Sequence, residues 1–246
     1  MRLTKSEIRY IKKFSNKKFR HLEAKFIVEG MKTVMEFLDS SFNLNKLYVV
    51  DQASHLFNIK DKVVIESNDL KAISSLKCPN SVLAVFNIPM TAPIHGTGLT
   101  LVLDRVSDPG NLGTIIRLCD WFGVRQLICS EDTVDCYNPK VIQSTMGSLS
   151  RLSIVYTCIE KYLSENNLPI FLCDMAGNNL YSSNLPEDAV VILGNESNGI
   201  MQRLKDKYSK NLLAIPQFMK SKQAESLNVS MAAAIVLSEF RRFKLN

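Results

Sequence analysis

The stretch LTLVLDRVSDPGNLGTIIRLCDWFG, residues 99–123, decides the fold. Its opening LTLVLD is an unbroken apolar run with no polar alternation, the mark of a strand buried on both faces. Pro109–Gly110 signals a turn, Asn111 is placed to cap a helix, and that helix ends near Phe122–Gly123. Five more apolar runs follow between helical segments: QLICS (126–130), LSIVY (152–156), PIFLCDM (169–175), AVVILGN (189–195) and NLLAIP (211–216). Strands of this kind, alternating with helices, predict an α/β fold with a mostly parallel, doubly wound, Rossmann-like sheet. Ligands in such sheets bind beyond the carboxyl ends of the strands.

Upstream of residue 99 the pattern is different. KFIVEG (25–30), KLYVV (46–50), KVVIES (62–67) and SVLAVFNI (81–88) read as strands, with helices over GMKTVMEFLDSS (30–41) and SNDLKAISSL (67–76). Thr4 and Glu7 stand at capping-box spacing before Ile8, Ile11 and Phe14, which predicts a short basic helix. Pro89, Pro93, Gly96 and Gly98 suit a linker. The expected domains are therefore a small α/β unit over 1–90, a linker over 91–98 and the doubly wound unit over 99–246.

Charge is distributed as unevenly as structure. Residues 1–25 hold nine Lys or Arg against Glu7 and Glu23, a net +7, so the remainder of this +6 chain is at −1 and the positive charge lies at one end. Lys12, Lys13, Lys17, Lys18 and Arg20 are the candidates for contact with a polyanion, although a solvated lysine face would look the same. No segment reaches the ~18 apolar residues of a membrane span, and the first residues have neither an apolar core nor a cleavage signal. A cytoplasmic protein is expected. The six cysteines form no C-x-x-C pair, and His21, His55 and His95 are scattered, so neither disulfides nor a metal site is expected.

Three strand-end loops carry the polar residues that need explaining. The first is SDPGNLGTIIR, with Arg117 six residues after Asn111; the second is NESNGI, with Glu196 directly beyond a buried strand. The third, QFMKSKQAESLNVS, leads into the helix VSMAAAIVLSEFRR and places Ser226 and Ser230 four apart with Asn228 between them. Each has a plain structural reading as caps and turns. Their succession in one sheet is harder to assign to capping alone.

Together these pieces resemble a known family. N-x5-R with a trailing FG, then G-N-E-x-x-G-I, then I-P followed by E-S-L-N-V-S are similar, in that order, to the three motifs of the SpoU (TrmH-like) RNA ribose 2′-O-methyltransferases. The resemblance covers about residues 99–242, and the basic first domain resembles the substrate-binding domain that many members carry. It implies a C-terminal trefoil knot, which periodicity does not reveal and which departs from the usual connection rules. It also implies an S-adenosyl-L-methionine site walled by Leu193, Gly194, Asn195, Leu213, Ala214, Ile215, Pro216, Ser226 and Leu227. The catalytic set it implies is Asn111, Arg117, Glu196, Ser226 and Asn228, with Arg117 also on the RNA. A homodimer acting on RNA, with ribosomal RNA favoured over transfer RNA, and no metal or membrane, completes the expectation.

One departure from the family pattern stands out. Ten residues separate Pro216 from Ser226 with no glycine between them, so the loop over 217–224 is expected to take its own path around the cofactor. A noncatalytic RNA-binding protein with this fold is the alternative, and five intact polar motif residues speak against it. A dinucleotide-binding enzyme would require G-x-G-x-x-G after the first strand, which DPGNLG does not supply.

Overall fold

The computed structural model describes residues 2–79, 81–90, 94, 96–218 and 226–242. Residues 219–224 of the expected loop over 217–224, and 91–93 and 95 of the expected linker over 91–98, fall outside the described residues. Two compact units are present: Met1–Met90 with Asp135–Arg151, and Thr91–Val134 with Leu152–Asn246.

In the first unit, β1 (Lys25–Glu29), β2 (Leu44–Val50), β3 (Val63–Ile65) and β4 (Val82–Asn87) form a sheet of order β1-β4-β2-β3, antiparallel except for β2 beside β3. The four predicted strands are these four. Thr4 caps the helix Lys5–Lys12 in the reciprocal capping box its spacing predicted. Below it, Phe14 is buried with Ile11, and Tyr10, Phe14 and Phe19 meet edge to face.

Residues Asp135–Arg151 fold with this unit although the sequence places them among the later strands. The reason is a buried attachment. Tyr137 packs on Phe26 in a tilted pair with ring centroids 4.6 Å apart, and Arg20 donates from Nε to Asp135 Oδ2 at 3.0 Å. Arg20 Nη1 also donates to the carbonyls of Phe14 and Ser15, which leaves the residue 1% exposed. This corrects the expectation that Arg20 contacts RNA, because its guanidinium is already fully engaged inside the unit. Lys12, Lys13, Lys17 and Lys18 remain exposed.

In the second unit, β5 (Leu99–Leu103), β6 (Gln126–Cys129), β7 (Ser153–Tyr156), β8 (Ile170–Asn179), β9 (Ala189–Leu193) and β10 (Leu212–Ala214) form a sheet of order β10-β8-β9-β5-β6-β7. Every pairing is parallel. β5, β6 and β9 are buried at every residue, as unbroken apolar runs require. The chain runs outward from β5 through β6 to β7, then crosses to the other side for β8, β9 and β10, so the switch point lies between β5 and β9. Gly177 of β8 is needed for contact with β10, because a Cβ there would lie 2.6 Å from the main chain of Leu212 and Leu213.

The helices Pro109–Trp121 and Val229–Arg241 lie side by side in the same direction. At their carboxyl ends Arg241 donates from Nε to the Phe122 carbonyl and from Nη2 to that of Gly123, each at 2.8 Å. A basic residue thus covers the free carbonyls that follow the first helix. Among the described residues no helix is long and apolar enough to cross a membrane.

Arg20→Ala would strand the buried Asp135 carboxylate, and we expect a loss of ~3–5 kcal/mol in a denaturant titration. Arg20→Met combined with Asp135→Leu should recover most of it; an unchanged midpoint in the single variant would contradict the attachment.

Candidate active site

The register of the two central strands aligns the first two motifs. Leu103 pairs with Leu193, and Asp104 N–H continues the ladder to the Leu193 carbonyl at 2.9 Å. The loops after β5 and β9 therefore leave the sheet next to each other. Gly194 permits this, since a Cβ on it would sit 2.3 Å from the main chain of Gly199 and Ile200.

Asp108 rather than Asn111 caps the helix that follows β5. Its Oδ1 accepts from Asn111 N–H at 2.8 Å, with Pro109 in the first turn. Asn111 is thereby released from capping. Its Nδ2 donates to Glu196 Oε1 at 3.0 Å, and its Oδ1 accepts from Asn228 Nδ2 at 2.9 Å. Asn228 caps the last helix, which begins at Val229, and its Oδ1 accepts from Ser230 N–H at 2.9 Å and Ser230 Oγ at 2.6 Å. A single hydrogen-bonded line thus joins all three loops. Ser226 stands two residues before the cap and is exposed. Ser230 is buried and orients the cap.

Glu196 receives more than Asn111. The main-chain N–H groups of Ser107 and Asp108 donate to it at 3.3 Å each, and Asn195 Nδ2 reaches its Oε2 at 3.3 Å. Partial burial, the largest single influence, raises its pKa, but hydrogen bonds from Asn111, its own backbone, Ser107 and Asp108 together outweigh this and hold it below the usual carboxylate range. Glu196 is therefore an anion that orders its donors.

The loop that carries Glu196 is closed on itself and tied to β5. Asn195 and Gly199 exchange main-chain hydrogen bonds of 3.1 and 3.0 Å, and Asn195 Oδ1 accepts from the Ser197 and Asn198 amides. Asp104, with no exposed surface, accepts from Met201 N–H at 2.7 Å and pairs with Arg105. Sequence reasoning missed Ser107, Asp108 and this Asp–Arg pair. The signal for Asp108 was present, since Asp followed by Pro is a typical helix start; nothing local distinguished Asp104–Arg105 from ordinary charges after a strand.

The structure brings Asn111, Glu196 and Asn228 together but joins neither Arg117 nor Ser226 to them by a hydrogen bond among the described residues. Arg117 is exposed on the helix, about 120° around and about 9 Å along from Asn111. Of the expected cofactor wall, Leu193 to Asn195 belong to the Glu196 loop, and Leu213 to Pro216 end β10 on the far side of β8. Exposed apolar side chains occur at Met175 in β8, at Phe218 beyond β10, and at Leu227 and Met231 around the start of the last helix. A separate open cavity of about 420 Å³ is lined by Arg105, Ile200, Met201, Arg203 and Lys205. Its cations are already paired with Asp104, Glu160 and Asp174, so it has no free positive charge for a phosphate.

Residues 98–238 match the model of the SpoU rRNA Methylase family, and residues 5–84 match that of the MRM3-like substrate binding domain. The chain is 29% identical over 238 residues to the 23S rRNA (guanosine(2553)-2′-O)-methyltransferase RlmP of Bacillus subtilis, covering 94% of both. A solved structure assigned to the TrmH family of RNA methyltransferases, from Porphyromonas gingivalis, superposes with a TM-score of 0.89 at 34% identity, covering 98% of this chain and 99% of that one. The AdoMet-bound rRNA methyltransferase of Sinorhizobium meliloti superposes at 0.88 with 27% identity, covering 100% and 99%.

Because the native pKa of Glu196 is depressed, its contribution is complete above its ordinary value of 4.5 and fades as pH falls through the lower native value. Glu196→Gln should therefore lose roughly 1 kcal/mol at neutral pH, with the gap to the wild type closing in acid. A gap that is the same at pH 3 and pH 7 in thermal melts would refute the anionic anchor.

Proposed function

The chain belongs to the SpoU rRNA methylase family, and on that basis we propose that it is an S-adenosyl-L-methionine-dependent methyltransferase acting on a ribose 2′-hydroxyl in ribosomal RNA. The observation that carries the proposal is the line Asn228–Asn111–Glu196, which gathers the three motifs at the switch point of a parallel sheet. Residues 1–90, with which 135–151 fold, act as the RNA-binding domain and the rest of 99–246 as the methyltransferase domain, joined through 91–98. We further propose a cytoplasmic homodimer and a trefoil-knotted C-terminal segment.

The residues present fit the cofactor. Half-buried Gly194 and Asn195 and half-buried Ala214 to Pro216 offer main-chain groups at strand ends, while exposed Met175, Leu227 and Phe218 supply apolar surface nearby. Leu193, Leu213 and Ser226 complete the wall. When bound, S-adenosylmethionine supplies an electrophilic methyl carbon on a sulfonium.

The chain's own residues then have two tasks: alignment and charge compensation. Asn111 and Asn228 hold amide groups in fixed directions beside the ribose, and Glu196 keeps them there. Arg117 clamps a substrate phosphate and offsets the negative charge left on O2′ as its proton departs. A guanidinium is a permanent cation and takes no proton from a hydroxyl. Glu196 is committed to its donors at a depressed pKa. The hydroxyl proton therefore passes to water or to the phosphate that Arg117 holds, and Ser226 hydrogen-bonds the ribose or cofactor.

Mapping 2′-O-methyl positions in total RNA from cells with and without the gene should show a ribosomal mark that disappears and is not restored by Arg117→Ala. Purified Arg117→Ala should bind cofactor within about threefold of wild type, while kcat/KM falls at least ~100-fold. A transfer RNA mark alone would move the substrate, no mark would reject the activity, and lost cofactor affinity would reject the role of Arg117.

Lys12, Lys13, Lys17 and Lys18 present the exposed cationic surface of the first unit. Changing all four to Gln should weaken RNA binding and flatten its salt dependence by ~0.7–0.9 in log–log slope for each phosphate that is no longer neutralised. The melting temperature should not move. An unchanged slope would place the RNA elsewhere.

A further inference from the structure

Arg105 leaves β5 with a left-handed backbone, φ 60°. Residues with a Cβ avoid this region, and glycine would make the same turn without the steric penalty. What glycine could not supply is the guanidinium. Arg105 donates from Nε to Asp104 Oδ1 at 2.8 Å, and from Nη2 to Asp104 Oδ2 at 3.1 Å and to the Gly199 carbonyl at 3.3 Å. Asp104 uses the same Oδ2 for Met201 N–H. The main chain of Arg105 is engaged as well: its N–H donates to Ser130 Oγ at 2.9 Å, and its carbonyl accepts from Asn195 Nδ2 at 2.7 Å. The two adjacent residues therefore grip the Glu196 loop at Asn195, Gly199 and Met201.

We propose that Asp104 and Arg105 are positioning residues, a clasp that fixes residues 195–201 in the conformation that receives S-adenosylmethionine, and that the left-handed backbone at Arg105 persists for its side chain. The inference rests on the methyl-transfer reading for its cofactor and on geometry alone for the loop. The bidentate fork faces one carboxylate while its outer nitrogen reaches a carbonyl across the loop, an arrangement a lysine cannot reproduce. Asp104 is fully buried, so the clasp is also what keeps that charge paired.

The test removes the clasp without stranding the charge. Asp104→Asn with Arg105→Gly keeps an acceptor for Met201 N–H, keeps both main-chain bonds of residue 105 and relieves the left-handed strain. We expect a melting temperature no lower than that of Asp104→Asn with Arg105→Ala. We also expect faster amide exchange across 195–201 with β5 and β9 still protected, cofactor affinity weakened roughly tenfold or more, and an effect on cofactor KM larger than that on kcat. Arg105→Lys should recover part of the affinity. Wild-type exchange in the loop of the double variant overturns the clasp, as does an affinity loss that merely tracks melting temperature across the variants. Wild-type protein that binds no S-adenosylmethionine sinks the methyl-transfer reading instead, and the exchange measurement, which needs no cofactor, still judges the clasp.

Discussion

The site depends on the hydrogen bond from Asn228 to Asn111, which closes a contact between residues 117 positions apart. An amide side chain donates at one end and accepts at the other, so the line has a direction. It starts at the amide of Ser230, passes through Asn228 and Asn111, and ends on a carboxylate that can only accept. Aspartate at position 111 or 228 would set acceptor against acceptor. Glutamine at 196 would remove the charge that makes the last bond strong.

The two parallel helices make that line rigid. Their amino ends are joined by Asn228 and Asn111, and their carboxyl ends by Arg241 on the carbonyls of Phe122 and Gly123. A helix pair fixed at both ends cannot slide by a turn without breaking both attachments. This accounts for the FG and RR that close the two segments: Gly123 takes φ 62° beyond the helix end, which a residue with a Cβ would resist, and the arginine reaches its carbonyl.

The ten strands among the described residues were legible as short apolar runs bounded by turn residues, although only β5, β6 and β9 are buried at every residue. The helix starts were less so. Asn111 looked like the cap of its helix, and Asp108 takes that place, because the segment offers several side chains able to cap and tertiary contact selects among them. Arg20 shows the same limit for charge. In a run of lysines it looks like one more solvated cation, and only the fold brings Asp135 to it from 115 residues away. Asp104–Arg105 left no trace, since a pair that acts across the sheet has no periodicity.

The chemistry assigned to these groups asks for no side chain that titrates near neutrality. Methyl transfer from a sulfonium moves charge from sulfur toward the ribose oxygen, and the barrier responds to how well the oxygen is aimed and how its developing charge is met. In the proposed site, amides, main-chain N–H groups and a permanent guanidinium would supply both with fixed dipoles and charge. Glu196, whose carboxyl is held below its ordinary range by its donors, contributes order to that arrangement instead of a proton acceptor. A site built this way gains its selectivity from geometry, so the loops that carry it have to be tied to the sheet. β5 and β9 accordingly hand over to their loops in register, with Asp104, Asn195 and Glu196 bridging the gap between them.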